Sequence, residues 1–186
     1  MTQAAPAQKL AAIILAAGKG TRMKSATPKV LHKVAGLAML GHAVKALDGL
    51  GLEKLVLVLA PDQDNVAEAA RDWVQDPSIV AHAVQDPPKG TGHAVMAAMP
   101  ALEGVTGDVI VAFGDTPLVR PETYEALLAP RRAGADIVVS GFRAVGPHMY
   151  GRLVLDDKGD LARIVEHKDA SEEERAIDLC NGGIML

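Results

Sequence analysis

Cysteine is almost missing from this chain of 186 residues: Cys180 is the only one. That excludes an intrachain disulfide and any cysteine-based zinc site. A lone thiol also fits a reducing compartment, so a cytoplasmic location is expected. Aromatic residues make up 3% of the chain, too few for an extended surface on which bases could stack. Positive charge is not in excess, since 19 Lys+Arg stand against 23 Asp+Glu for a net −4. That balance argues against a protein that blankets nucleic acid and leaves room for a local basic pocket. A bilayer-spanning run is lacking too. The apolar run Leu10–Ala17 is far shorter than the roughly 20 residues a membrane helix needs. It leads directly into glycines and is read as a buried strand. Neither nucleic acid nor membrane is an expected partner.

Hydrophobic residues are plentiful, at 49%, enough for one buried core. Short apolar runs alternate with stretches of helical periodicity, the pattern of a three-layer α/β sheet. The runs Leu10–Ala17, Lys54–Ala60, Ile79–Val84, Asp108–Phe113 and Asp136–Phe142 read as strands. Helices are expected over Met39–Leu50, Asp64–Gln75, Thr91–Leu102 and Pro121–Arg132, with glycine after the first and proline opening the last. Beyond Val145 the pattern changes. Arg152–Leu155 and Leu161–Lys168 alternate around a turn rich in Asp and Gly, Ser171 begins a capped helix, and Ile177–Leu186 is apolar. Residues 1–8 are expected to be a frayed leader and 9–186 one domain. Because the chain stops inside the apolar Gly183-Ile184-Met185-Leu186, that domain is expected to be truncated at its C-terminal end.

The most informative segment joins the first strand to a glycine turn: Leu15-Ala16-Ala17-Gly18-Lys19-Gly20-Thr21-Arg22-Met23, followed by Pro28-Lys29. A strand that runs into glycines frees backbone N–H groups to face an anion, and Gly18 and Gly20 permit close approach. Arg22 and Lys29 supply cations for a polyphosphate. Two commoner glycine motifs do not fit. A Rossmann fingerprint needs a small residue where Met23 stands, and a Walker A loop needs Ser or Thr where Gly20 follows Lys19. Taken alone, the turn serves equally well as structure.

A second segment, Phe113-Gly114-Asp115-Thr116-Pro117-Leu118, follows a strand of the same sheet. Ligands gather beyond the carboxyl ends of parallel strands, and a carboxylate there suits Mg²⁺ held against a phosphate. On its own, Asp115 reads more readily as a turn former or helix cap. A third segment carries Gln85 and then Lys89-Gly90-Thr91-Gly92-His93-Ala94. The glutamine amide offers a donor and an acceptor to a base edge, beside unpaired N–H groups at a helix start. Thr91 as an ordinary N-cap is the plainer alternative. The six histidines lack ligand spacing. His32, His42 and His93 are expected on helices as packing or surface residues, and Glu166 and Lys168 on one face of an alternating strand. These parts suffice for a reaction without a protein nucleophile: a sugar 1-phosphate attacks the α-phosphorus of a nucleoside triphosphate, assisted by positioning and charge neutralisation.

Together these segments resemble the signature of the sugar-phosphate nucleotidylyltransferases. Pro28-Lys29-Val30-Leu31-His32, Gly90–Ala94, Gly114-Asp115-Thr116-Pro117-Leu118, Tyr150-Gly151-Arg152 and Ile164–Ala170 occur in the order seen in the bacterial branch that transfers UMP to N-acetylglucosamine 1-phosphate. The resemblance, from about Lys9 to the last residue, implies a three-layer Rossmann-like α/β fold. Its central sheet would be mostly parallel, with a small β-rich sugar-binding lobe. It implies that Leu15, Ala16, Ala17 and Gly18 line the nucleotide and that Arg22 and Lys29 hold the triphosphate. Gln85, Gly90 and Thr91 would read uracil and ribose, Asp115 would bind Mg²⁺, and Gly151, Glu166 and Asn181 would contact the sugar. UTP, N-acetylglucosamine 1-phosphate and UDP-N-acetylglucosamine would be the small-molecule partners, and a longer parent would be a homotrimer with an acetyltransferase β-helix.

The chain departs from that pattern. Phe113 stands where the family usually has Tyr, and Asn181-Gly182-Gly183 where it commonly has Asn-Thr-Gly. The family's second metal ligand, an Asn, falls beyond Leu186, so turnover by these residues alone is expected to be low.

Overall fold

In the computed structural model, residues 9–18, 20, 23–146 and 148–186 are described. The sheet is built outward from β1 (Leu10–Leu15). It pairs in parallel with β4 (Lys54–Leu59) on one side and β6 (Asp108–Phe113) on the other. β5 (Val80–Val84) extends the parallel part beyond β4. A side chain on alternate faces at every step gives β1 two cores. Ala12 and Ile14 face α1 (Met39–Asp48), α2 (Asp64–Arg71) and α4 (Pro121–Arg132), packing with Leu40, Val44, Leu47, Val66 and Leu127. Ala11 and Ile13 face α3 (Thr91–Ala98), packing with Val56, Val58, Ala94 and Ala98. Helices on both faces of a largely parallel sheet make the three-layer α/β fold expected from the alternation.

The β-rich lobe is built onto the same sheet. β10 (Leu179–Met185) lies antiparallel to β6, with Met185 opposite Val111. β10 then carries β7 (Val139–Arg143) and β8 (Arg152–Leu155), and β8 pairs with β9 (Leu161–Val165). The result is an eight-stranded sheet in the order β5-β4-β1-β6-β10-β8-β9, with β7 on β10. The capping box at Ser171 opens α5 (Glu172–Arg175), where the Ser171 N–H holds the Glu174 carboxyl below its ordinary pKa.

Several boundaries differ from the expectation for identifiable reasons. α3 stops at Ala98 because Pro100 has no N–H to continue it, and Met99–Leu102 tightens into a 3-10 turn. α2 stops at Arg71, since the N–H groups of Asp72 and Trp73 bond three residues back and that of Gln75 bonds the Asp48 carboxylate. β9 ends at Val165, so Glu166 and Lys168 do not share a strand face. The Asp169 N–H closes a turn on the Glu166 carbonyl instead. His32 follows a 3-10 turn, Lys29–Leu31, and is not helical. A small hairpin, β2 (Lys33–Val34) with β3 (Leu37–Ala38), escaped the periodicity because each strand has two residues.

Tyr124 on α4 is fully buried and its hydroxyl has no hydrogen-bond partner among the described residues. Burial pushes its pKa up to about 12, from 10.0. The folded protein therefore keeps this proton where the unfolded chain loses it, and stability falls as pH rises from about 10 towards about 12. Tyr124→Phe removes an unsatisfied polar group. The expected result is unchanged or higher stability at neutral pH and loss of this alkaline component, read from urea unfolding at pH 7 and pH 11. Clear destabilisation at pH 7 would show that the hydroxyl has a partner.

Candidate active site

The C-terminal ends of β1, β5 and β6 open together into a cleft of about 510 Å³. It gathers Leu15, Ala16, Ala17, Gly18, Lys29, Gln85, Gly90, Thr91 and Asp115, residues far apart in sequence. Val30, Pro88, Ala94 and Phe113 complete its wall.

Backbone pairing sets the floor. The Ala16 N–H bonds the Val58 carbonyl at 2.8 Å and the Gly114 N–H bonds the Leu15 carbonyl at 3.0 Å, which brings the two loops side by side. A Cβ at Gly18 would meet nothing within 4 Å, so this residue faces open space. Gly20 has a different reason. It adopts a φ of +56°, and a Cβ there would come within 2.7 Å of the Lys29 Cβ. Its absence lets the lysine stem pass into the cleft. The Thr116 hydroxyl donates to the Phe113 carbonyl at 2.9 Å and fixes the turn that carries Asp115. Lys29 Nζ then donates to Asp115 Oδ2, both side chains being half-buried. A cation suited to phosphate and a carboxylate suited to a hard metal ion thus neutralise each other at the cleft.

Gln85 is 6% exposed, and its amide is oriented by its surroundings. Nε2 donates to the Gly90 carbonyl at 2.9 Å and lies 3.3 Å from His93 Nδ1. A reversed amide would set two carbonyl oxygens against each other. Both amide hydrogens are therefore engaged and Oε1 is left as an acceptor. His93, expected to be a packing or surface residue, helps orient Gln85. Its place in the first turn of α3, eight residues after Gln85, was the signal available. Gly90 takes a φ of +97° at the start of α3, where the first N–H groups have no helical partner.

The residues expected at the sugar lie beside this cleft. Arg152 pairs with Val165 and with Cys180, so Gly151, Glu166 and Asn181 occupy the adjoining cross-strand row. The Asn181 N–H bonds the Gly151 carbonyl at 2.8 Å, and Glu166 Oε1 lies 3.4 Å from a Cβ built on Gly151. Asn181 Oδ1 accepts from the Gly183 N–H at 2.9 Å within a bulge of β10. Gly183, with φ +84°, lies so close to the Phe113 ring that a Cβ would come within 2.8 Å of it. Phe113 thereby joins the cleft to the strand that carries Asn181. Where threonine would stand, Gly182 leaves room for Ser140, whose Oγ would come within 2.6 Å of a Cβ and accepts from the Ile184 N–H at 3.1 Å. Arg22 lies outside the described residues, as do Lys19 and Thr21.

The MobA-like NTP transferase domain matches residues 12–177. The chain belongs to this family. The match takes in most of β1, the three cleft loops and the row of Gly151 and Glu166, so this is a nucleotidyltransferase domain. Among curated relatives, the Bifunctional protein GlmU of Parvibaculum lavamentivorans is 55% identical over 174 residues, 94% of this chain and 38% of that protein. The protein of the same name from Maricaulis maris is 49% identical over 94% of this chain and 37% of its own length. The chain thus spans well under half the length of these relatives. A solved structure, 4-diphosphocytidyl-2C-methyl-D-erythritol synthase from Anaerococcus prevotii, superposes with a TM-score of 0.66 over 96% of this chain and 70% of its own, at 13% identity. That likeness establishes the three-layer fold of this nucleotidyltransferase. Among the described residues, no helix is long and apolar enough to cross a membrane.

Proposed function

We propose that this nucleotidyltransferase domain transfers UMP from UTP to N-acetylglucosamine 1-phosphate. The products are UDP-N-acetylglucosamine, a cell-envelope precursor, and pyrophosphate. The reading takes the reaction to be Mg²⁺-dependent and cytoplasmic. Its chief support is the Gln85 amide, whose Oε1 accepts no hydrogen bond among the described residues and suits the N3–H of uracil. Cytosine presents an acceptor at that position, and an acceptor facing an acceptor costs binding. The named relatives, called bifunctional GlmU, agree with a sugar-nucleotide product.

Lys29 and Arg22 would hold the triphosphate, and the N–H groups after β1 and at the start of α3 would lie along the nucleotide. Among the described residues no cluster of three or more metal-ligating side chains occurs. The donor set at Asp115 is a single carboxylate beside a phosphate site, which fits Mg²⁺ completed by substrate oxygens and water. When bound, Mg²⁺ would neutralise charge on the phosphates. Lys29 and Asp115 would then exchange their mutual contact for the substrate complex. Gly151, Glu166 and Asn181 would set the acceptor so that its phosphate oxygen reaches the α-phosphorus. A new P–O bond forms as the bond to the bridging oxygen of the β-phosphate breaks, and pyrophosphate carries away the electron pair. The acceptor is already an anion, so no base need remove a proton, and positioning with charge stabilisation supplies the rate.

Thermal unfolding with UTP, CTP or GTP in the presence of Mg²⁺ tests the nucleotide assignment. At 100 times its dissociation constant a ligand adds about 2.7 kcal/mol, on the order of 5–10 °C for a domain of this size. UTP is expected to give the largest shift. An equal or larger shift with CTP would contradict the role given to Gln85, and one with GTP would contradict the choice of UTP.

A further inference from the structure

Arg152 is 2% exposed and ranks among the largest fully buried side chains of the described structure. The partners of its guanidinium are backbone carbonyls. Nη1 donates to Tyr150 O and Nη2 to Arg175 O at 3.1 Å, the latter at the end of α5. Nε is buried with no partner among the described residues. A buried charge satisfied only by neutral carbonyls is an expensive way to fill space, and an apolar residue of similar volume would pack at least as favourably. Stability alone does not account for arginine here.

Its surroundings suggest what does. Arg152 is the central residue of the row Val165–Arg152–Cys180, directly behind the row of Gly151, Glu166 and Asn181, with its side chain on the opposite face. The front row is linked to it through neighbouring residues. Tyr150, which precedes Gly151, is held by Nη1. Arg175, held by Nη2, donates through Nε to the carbonyl of His167 at 3.3 Å, the residue after Glu166. Asn181 is fixed to Gly151 through its N–H. The Arg152 fork thus joins the end of α5 to the approach to β8, and Arg175, whose carbonyl it holds, reaches the exit of β9.

We propose that Arg152 is the positioning residue of the acceptor site, holding Gly151, Glu166 and Asn181 in register for the sugar without touching it. This rests on the functional reading given above. A lysine would match one carbonyl but not both, since only the guanidinium offers two donors in fixed directions. The arginine would be retained for geometry, and the cost of burying it would be met by the site's precision.

The test uses calorimetric titration of the chain with UDP and with UDP-N-acetylglucosamine, for wild type, Arg152→Met and Arg152→Lys. Thermal unfolding of each is followed in parallel. Wild type is expected to bind the sugar nucleotide more tightly than UDP. In Arg152→Met, UDP affinity should stay within about twofold while the advantage conferred by the sugar falls about tenfold or more, because small misplacements of a positioned group are costly. Arg152→Lys should recover part of that advantage. A folded Arg152→Met that keeps the full advantage overturns the proposal, as does equal weakening of both ligands, which would mark a general structural role. Full recovery by Arg152→Lys would show that charge, not the two-carbonyl fork, matters. If Arg152→Met does not fold, Arg152→Lys decides by the same comparison. A wild-type chain that gains nothing from the sugar removes the functional reading itself, and this inference with it.

Discussion

Lys29→Ala is expected to lower pyrophosphate release about 10²–10³-fold relative to the unsubstituted chain, the scale of removing one charge-stabilising donor from a reacting centre. UTP affinity should fall by at least tenfold, since a hydrogen bond to a charged group is worth about 1.5–3 kcal/mol. The fold should survive, because the Lys29–Asp115 pair is half-exposed and such pairs contribute about 1 kcal/mol or less. That separation makes the result informative. Stopped release with unchanged thermal stability places the lysine on substrate. Wild-type release and UTP affinity in the variant would remove Lys29 from the site, and a cooperative loss of fold would recast it as structural.

Leu57→Ala is expected to cost about 2–5 kcal/mol of unfolding free energy, a fall in Tm on the order of 5–15 °C. Leu57 is fully buried in the middle of β4, between β1 and β5, on the face covered by α1 and α2. Dense packing leaves no group free to fill the void. The substitution touches no cleft residue, so UTP binding at low temperature should persist in the folded fraction. Urea unfolding measures the loss. A change below about 1 kcal/mol would mean that the layer can collapse around the gap.

The parallel half of the sheet was readable from the amino-acid sequence for a physical reason. Strands buried on both faces are short continuous apolar runs, such as KLVLVL in β4, and the helices between them carry a one-sided stripe. Asp108–Phe113 and Pro121–Arg132 match their expected bounds because a strong terminator flanks each. The antiparallel lobe was harder. β9 exposes much of its surface, so nothing in its alternation marks Val165 as the last residue, and that end decides which way Glu166 points. The placement of β10 against β6 depends on the pairing of Met185 with Val111, more than seventy residues apart, which periodicity cannot register.

The site divides along the same line. Motifs marked the loops after β1 and β6 and the start of α3 only in combination, since each segment alone had a structural reading at least as good. Their convergence in one cleft needed the sheet order. The orientation of the Gln85 amide, the passage of Lys29 past Gly20 and the contact of Phe113 with Gly183 are tertiary facts. No local pattern encodes them. Arg152 is the clearest case. In the sequence it is one arginine beside Gly151, and only its burial behind three strands distinguishes it from a solvated charge.

Pyrophosphate release is the measurement that reaches the centre of this reading. The chain, its intact mass verified, would be incubated with UTP and Mg²⁺, with and without N-acetylglucosamine 1-phosphate, and with CTP or GTP in place of UTP. The expected result is slow release that requires the sugar phosphate, UTP and Mg²⁺ together and is lost in Lys29→Ala. Release indifferent to the sugar phosphate, or as fast with CTP or GTP, would contradict it.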